Sequence, residues 1–202
     1  MIKKHLLLAI GALCFVLPSG ANAVDVGDIA PEIEAVDING NPFKLSDHKG
    51  KTVVLEWTNA QCPYVIKHYD SGNMQKVQKE ALAMENVAWV SINSSAKGKQ
   101  GNVSAEEAQK VLSETGATPS AVLLDPSGAI GKAYNAKTTP HVFIVGGDGK
   151  VVYAGAVDDN SSPRQSVIAD SKNYILAALG DIKEGKAIEV ASTKPYGCSV
   201  KY

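Results

Sequence analysis

The sequence has no excess of either charge, few cysteines and no glycine-rich phosphate loop. Its 202 residues carry a formal net charge of −1, which argues against a nucleic acid partner because phosphate binding requires a basic surface. The glycines within 146–149 precede a predicted strand instead of a helix, so this segment is a turn and not a nucleotide site. Of the three cysteines, Cys14 lies near the N-terminus, which leaves Cys62 and Cys198 for one disulfide or for redox chemistry.

The segment 1–23 has the pattern of a secretory signal peptide. Two lysines precede an apolar run at 6–17, and Ala21-Asn22-Ala23 supplies a small-x-small cleavage site. The run is shorter than the roughly 20 residues that cross a membrane. Leu13 stands before Cys14, where a lipoprotein signal has a small residue. We therefore expect cleavage after Ala23 and a periplasmic or secreted protein that is not held in a membrane.

Strand-like and helix-like patterns alternate along the rest of the chain, which predicts one α/β domain at 24–180 and a C-terminal tail at 181–202. The predicted strands are 53–57, 87–92, 121–125, 141–145 and 151–156, and the predicted helices are 63–84 with a break at 71–72, 104–115 and 162–179. The last helix is expected to begin at Ser162-Pro163 and to bury Val167, Ile168, Ile175 and Leu179. Parallel βαβ units closed by an antiparallel hairpin give a mixed central sheet.

Cys62 lies between a predicted strand and a predicted helix, a position that favours a reactive thiol. Pro63 suits the first turn of a helix, so the cysteine faces free backbone N–H groups and the positive end of the helix dipole. Both stabilise the thiolate and lower the pKa of the thiol below about 8.5. The thiolate is the species that attacks disulfides and peroxides. The alternatives are a buried structural cysteine and one half of a permanent disulfide.

The segment 53–65, which reads VVLEWTNAQCPYV, resembles the active-site segment of the thioredoxin superfamily, in particular its exported redoxin and peroxiredoxin-like branch. The lead-in at 26–31 and a strand at 43–45 match as well. The resemblance implies a thioredoxin-like three-layer sandwich with a mixed central sheet, and it aligns Cys62 with the nucleophilic cysteine. Val65 stands at the second cysteine of the family's Cys-x-x-Cys, and Asn59 stands where peroxiredoxins have Thr or Ser.

The resemblance also implies a substrate-binding surface beside Cys62. Thr138-Thr139-Pro140-His141 matches the cis-proline loop of the superfamily, so a cis bond is expected before Pro140. Thr139 and Pro140 are then expected to contact substrate, together with Pro63 and Trp57. A position in the core is the alternative for Trp57. The acidic segment 158–160 also matches this branch and either caps a helix or lines the site.

Two further residues complete the predicted site. Glu56 stands where thioredoxins have a buried acid that moves protons, and burial would raise the pKa of its carboxyl group. Alternatively, Glu56 faces solvent or pairs with Lys67.

Cys198 lies in a glycine-containing terminal segment that we expect to be mobile, as a resolving cysteine requires. A permanent disulfide with Cys62 and pairing with another molecule are the alternatives for Cys198. No metal site is predicted, since Cys62 and His68 alone are too few ligands.

These features together predict a thiol-dependent oxidoreductase that needs no cofactor. Cys62 would reduce a peroxide or exchange with a protein disulfide, Cys198 would then form a disulfide with it, and a thiol reductant protein of the thioredoxin type would reset the pair. A thiol-disulfide reductase or isomerase without peroxidase activity is the second interpretation. A redox-silent binding module with one static disulfide is the third.

Overall fold

A five-stranded mixed sheet forms the centre of the domain. The structure is a computed structural model that describes residues 24–202, and the predicted signal peptide lies outside the described residues. The strands are β1 (Glu34–Val36), β2 (Pro42–Lys44), β3 (Thr52–Trp57), β4 (Val87–Asn93), β5 (Ala121–Leu124), β6 (Thr138–Thr139), β7 (His141–Val145), β8 (Val151–Gly155) and β9 (Cys198–Ser199). The central sheet has the order β5-β4-β3-β7-β8; β3 is parallel to β4 and antiparallel to β7. The predicted mixed sheet is therefore confirmed.

Helices cover both faces of this sheet. They are α1 (Pro63–Asp70), α2 (Asn73–Leu82), α3 (Ala105–Thr115), α4 (Ala129–Ala133) and α5 (Tyr174–Lys183), with 3-10 turns at Leu45–His48 and Gln165–Asp170. Side chains alternate along a strand, so Leu55 and Trp57 of β3 pack in the core beside α4, whereas Val54 packs in the core beneath α2 and α5. The result is a three-layer sandwich. Within 24–202, no helix is long and apolar enough to cross a membrane.

Local sequence explains where the elements around the site begin. All residues of β3 are buried, as expected for a central strand covered on both faces. Pro63 is the first residue of α1, and Gly72, with φ 74°, separates α1 from α2 at the predicted break. Helix α3 begins with a capping box, in which the Ser104 side chain accepts a hydrogen bond from the Glu107 N–H at 3.2 Å and the Glu107 carboxylate accepts one from the Ser104 N–H at 2.7 Å.

The prediction of one long final helix at 162–179 is wrong. A 3-10 turn at Gln165–Asp170 is followed by extended backbone at Ser171, and α5 begins only after Asn173. The Asn173 side chain accepts a hydrogen bond from the Leu176 N–H at 2.9 Å, which makes it a new N-cap. Ile175 and Leu179 are buried as predicted, but the predicted stripe is interrupted because Val167 and Ile168 in the turn are only half-buried.

The C-terminal tail is docked on the domain, in contrast to the mobile segment expected from its composition. Strand β9 pairs with β6, the Val200 N–H donates to the Lys137 carbonyl at 3.1 Å, and the Tyr202 hydroxyl donates to the Ala136 carbonyl at 2.8 Å. Val200 is buried in the core beside α4. Composition did not reveal this docking because every one of these contacts is with residues distant in sequence.

Candidate active site

Cys62 caps the first turn of α1, at the carboxyl end of β3. Its backbone is extended, with φ −87° and ψ 125°, and Pro63 follows as the first helical residue. The Cys62 carbonyl accepts the N–H groups of Val65 and Ile66, both at 2.9 Å. The strand-cysteine-proline-helix arrangement is as predicted, but the side chain is completely buried.

The cis-proline loop and the tail lie directly beside this cysteine. The Thr139–Pro140 peptide bond is cis, as expected. The Cys62 thiol donates to the Thr139 carbonyl with a sulfur–oxygen distance of 3.0 Å. Thr139 lies opposite Cys198 in the antiparallel pair of β6 and β9. Cys62, Thr139, Pro140 and Cys198, which the sequence placed in one site, are thus brought together by the fold.

The surroundings of Cys62 and Cys198 shift the pKa values of the two thiols in opposite directions. Burial by itself raises the pKa of Cys62, but hydrogen bonding with the neighbouring Cys198, Thr139 and Val65 outweighs burial and lowers it. Burial and the neighbouring Cys62 sulfur raise the pKa of Cys198 to about 11. Cys62 is therefore the more acidic thiol of the pair, and Cys198 is the weaker acid.

We expect the rate of Cys62 alkylation to rise with pH with a midpoint below the ordinary value of about 8.5. Since deprotonation creates the reactive species, a lowered pKa moves the profile to lower pH. Replacing Cys198 with alanine removes a hydrogen-bond donor, so Cys198→Ala is expected to shift the midpoint upward. The measurement is alkylation by iodoacetamide across pH, with Cys62 identified by peptide mass. A midpoint at or above 8.5 in the unmodified protein would contradict this assignment.

Gly197 permits the close approach of the tail to the cis-proline loop. Its φ of +133° is a backbone conformation that L side chains rarely adopt, and a Cβ atom built there would overlap the carbonyl oxygen of Thr139. The neighbouring atoms are backbone, so they cannot move aside as a flexible side chain would. A glycine immediately before Cys198 is thus required for this docked strand.

Gly197→Ala is expected to displace the tail and to raise the alkylation rate of Cys62 by about tenfold or more, because strained backbone and overlap cost on the order of 1–3 kcal/mol. Gly185→Ala is the matched control. Gly185 also has a positive φ, +66°, but a Cβ atom there meets nothing within 4 Å. Equal alkylation rates in the two variants would show that Gly197 does not hold the tail over Cys62.

Glu56 is completely buried in the middle of the domain. Its carboxyl group accepts hydrogen bonds from Tyr69 Oη at 2.9 Å, Trp89 Nε1 at 3.0 Å and Ser91 Oγ at 3.1 Å. Burial raises the pKa of the carboxyl group, and these hydrogen bonds offset only part of the effect. The alternatives of a solvent-facing position and of pairing with Lys67 are both wrong. Glu56 makes no hydrogen bond to Cys62 in the described part of the chain.

Two other residues of the predicted site differ in exposure. Trp57 lies in the core, completely buried, where its Nε1 donates to Ser94 Oγ at 3.1 Å and its ring packs on Tyr134 and Phe143. This position is the alternative raised from the sequence, and it gives no surface for a substrate. Pro63 is exposed at the start of α1 and remains next to Cys62.

Sequence reasoning missed a buried polar cluster on the other end of α1. Lys67 is 1% exposed, and its Nζ lies 3.1 Å from the Asp158 carboxylate. His68, also fully buried, and Tyr196 of the tail complete the cluster. The match of the acidic segment 158–160 was the signal for it, and Asp158 lines this cluster instead of capping a helix. In the range 24–202 no group of three or more His, Cys, Asp or Glu side chains has the arrangement of a metal site.

Comparison with known proteins gives a family match over most of the chain. A model of the family described as Redoxin matches residues 25–172. This range includes Cys62, the cis-proline loop and Asp158, and it ends before the tail that carries Cys198. No curated protein sequence matches the chain significantly.

Solved structures share this fold over 65–90% of the chain. An uncharacterised conserved protein from Geobacillus kaustophilus is 29% identical, with a TM-score of 0.75 and coverage of 90% of this chain and 94% of its own. A hypothetical protein from Sinorhizobium meliloti is 23% identical, with a TM-score of 0.77 and coverage of 90% and 96%. A protein from Chlorobium tepidum, named as a candidate thiol:disulfide interchange protein DsbE, is 26% identical, with a TM-score of 0.53 and coverage of 65% and 85%.

Proposed function

Because the chain belongs to the redoxin family of thioredoxin-like proteins, we propose that it is a thiol-dependent oxidoreductase that reduces peroxides through Cys62 and Cys198. In the proposed cycle the two cysteines alternate between free thiols and an intramolecular disulfide. The structure describes the reduced form, in which both cysteines are free.

The observation that carries this proposal is the pairing of Cys198 with Thr139 across β6 and β9. Because the Cys62 sulfur lies 3.0 Å from the carbonyl oxygen of the same Thr139, this pairing places Cys198 beside Cys62. The two residues are far apart in sequence, and Val65 occupies the position of a vicinal second cysteine. The tail therefore supplies the partner that the helix itself lacks.

The proposed reaction balances in three steps. The Cys62 thiolate attacks one oxygen of the peroxide, so that an S–O bond forms and the O–O bond breaks, which gives a sulfenic acid and an alkoxide or hydroxide that takes up a proton from solvent. The Cys198 sulfur then attacks the Cys62 sulfur, the S–O bond breaks and water leaves with the Cys198 proton. A dithiol reductant protein finally transfers two electrons and two protons to the Cys62–Cys198 disulfide by thiol exchange.

The docked tail favours a small oxidant. Cys62 is completely buried beneath the tail and the cis-proline loop, so a protein disulfide reaches its sulfur only after β9 has left β6. A peroxide needs a much smaller opening. When a sulfenic acid forms under the tail, Cys198 is already next to it, and intramolecular attack is then fast because the two groups are held together.

Thiol-disulfide exchange with a protein is the second candidate. It is favoured by the way an extended, cysteine-bearing strand fits against Thr139, which is the arrangement that a substrate strand would need. The similarity to the Chlorobium tepidum protein named for thiol:disulfide interchange also supports it. In this version a substrate strand replaces the tail on β6.

The deciding experiment treats the reduced protein with one equivalent of hydrogen peroxide, of cumene hydroperoxide or of oxidised insulin. We expect either peroxide to produce a Cys62–Cys198 disulfide, seen as the loss of two hydrogens by mass, faster than it oxidises glutathione at the same pH. Oxidation by insulin alone would replace the proposal with the second candidate. A protein that none of the three oxidises would be a redox-silent module.

The proposed setting of the reaction is the periplasm or the extracellular space, as the pattern at 1–23 indicates. A thioredoxin-type protein with two thiols is the proposed reductant, because the last step requires a dithiol. Neither a cofactor nor a nucleic acid takes part in the proposed cycle. The near-neutral net charge of the chain supports the latter point.

A further inference from the structure

The buried cluster at the end of α1 binds a hydroxyl group of the tail. Tyr196 Oη donates a hydrogen bond to Asp158 Oδ1 and accepts one from Lys67 Nζ at 3.3 Å. It also lies 3.0 Å from His68 Nε2. Lys67 and His68 are 1% and 0% exposed, and Asp158 is 3% exposed. The phenol of Tyr196 is therefore enclosed by one cation, one anion and one imidazole.

The direction of each hydrogen bond follows from the remaining contacts. The Asn73 side-chain amide donates to His68 Nδ1 at 2.8 Å, so His68 Nε2 carries the ring proton and donates it to Tyr196. Burial lowers the pKa of His68 to about 4, which keeps the ring neutral at physiological pH. Burial and the Asp158 carboxylate raise the pKa of Tyr196, which keeps its proton in place. The hydroxyl thus donates once and accepts twice, its full capacity.

We propose that Tyr196 is a positioning residue that holds Cys198 against Cys62 through this cluster on α1. Cys62 caps the same helix that carries Lys67 and His68, so one rigid element positions both the nucleophile and the anchor of its partner. Tyr196 stands two residues before Cys198, and an extended chain spans at most about 7 Å over two residues. Cys198 therefore stays within reach of Cys62 while Tyr196 is bound.

Upstream of Tyr196, the next strong anchor is Thr193. Its Oγ1 accepts a hydrogen bond from the Ala156 N–H at 2.8 Å and lies 2.8 Å from Tyr153 Oη. Thr193 stands five residues before Cys198. Release of Tyr196 therefore lengthens the segment between Cys198 and the nearest anchored residue before it, which is the tether of Cys198, from two residues to five. When β9 is not paired with β6, effective concentration falls with at least the −3/2 power of tether length, which lowers that of Cys198 by about fourfold.

Removal of the Tyr196 hydroxyl also lowers the effective concentration of Cys198 in a second way. In a Tyr196→Phe variant the docked tail leaves Asp158, Lys67 and His68 each short of one buried hydrogen-bond partner, and such groups are costly to leave unpaired. When the tail is undocked, water satisfies them. The variant therefore shifts the tail toward the undocked state, and we expect the two effects together to reach about tenfold.

The test compares Tyr196→Phe with Tyr64→Phe, which undergoes the same chemical change. The Tyr64 ring lies beside Tyr196, with ring centroids 5.8 Å apart, but its hydroxyl makes no hydrogen bond within residues 24–202. The first measurement is the effective concentration of Cys198 toward Cys62, from the equilibrium of each variant with reduced and oxidised glutathione. The second is the iodoacetamide alkylation rate of Cys62 in a Cys198→Ser background.

We expect Tyr196→Phe to lower the effective concentration about tenfold and to raise the alkylation rate about tenfold, and Tyr64→Phe to change neither by more than about twofold. Two variants that behave alike in both measurements would overturn the positioning role. So would a Tyr196→Phe protein that loses thermal stability without changing either quantity.

This inference rests on the proposed function only in that Cys198 is the redox partner of Cys62. Neither measurement requires turnover, so a protein that reduces no peroxide still reports on Tyr196. Conversely, an active protein in which Tyr196→Phe has no effect would overturn the positioning role alone.

Discussion

Cys198→Ser is expected to lower steady-state peroxide turnover by at least about 100-fold, while the variant still consumes its first equivalent of peroxide. Cys62 and its helix-start environment remain, so the sulfenic acid still forms. Its resolution, however, becomes intermolecular, and well-oriented intramolecular reactions have effective molarities of about 10⁵ M or more. External thiol at millimolar concentration recovers only a small part of this advantage. The measurements are turnover in a thiol-coupled assay and the mass of the protein after one equivalent of peroxide.

Cys62→Ser is the control for this prediction, since it removes the nucleophile and should consume no peroxide at all. In Cys198→Ser, addition of one oxygen atom to Cys62 is expected by mass. Full turnover of Cys198→Ser would show that an external thiol resolves the sulfenic acid. The tail would then have a structural role only, even though it pairs with β6.

Asp158→Asn is expected to destabilise the protein by about 3 kcal/mol, since removing one partner of a buried ion pair leaves the other charge unpaired. The side chains of Lys67 and Asp158 are 0% and 2% exposed, and their charged atoms lie 3.1 Å apart. Asparagine keeps the shape of the side chain and an oxygen that accepts from Tyr196, but an amide NH₂ group replaces the charged oxygen that faces Lys67. The measurement is the free energy of unfolding from urea titration at pH 7.

The chain offers a matched control on its surface. Lys44 and Glu34 form a shorter ion pair, 2.8 Å, but their side chains are 46% and 68% exposed. Solvent screens such a pair, so Glu34→Gln should cost no more than about 1 kcal/mol. A double variant with Lys67→Met and Asp158→Asn should recover stability relative to Asp158→Asn alone, because no buried charge remains. Equal losses for Glu34→Gln and Asp158→Asn would contradict the buried-pair account.

The sequence predicted the parts of the site that depend on local order along the chain. A strand that ends in cysteine and proline places that cysteine at a helix start whatever surrounds it, so the position of Cys62 was available from residues 53–65. The capping box at Ser104 is local for the same reason. The cis bond before Pro140 came from the family resemblance, since the residues alone give no such preference.

Predictions that depended on what a segment packs against were wrong in part. The helical pattern at 162–179 contained a break at Ser171–Asn173, because Asn173 is a better N-cap than interior residue. Lys67 has the spacing of a surface residue, yet it is buried because Asp158, distant in the chain, supplies the opposite charge. The pattern within one helix contains no information about such a partner.

The sequence by itself determined that this protein has a mixed α/β sheet with a single cysteine at a helix start, since these follow from periodicity, caps and proline. Only the tertiary structure decided that Cys62 is buried and that Cys198 lies beside it. The tail docks through backbone pairing with Thr139, through the close approach that Gly197 allows and through the phenol of Tyr196. These contacts join residues far apart in the chain, and their energies depend on burial and on partners that no local pattern records.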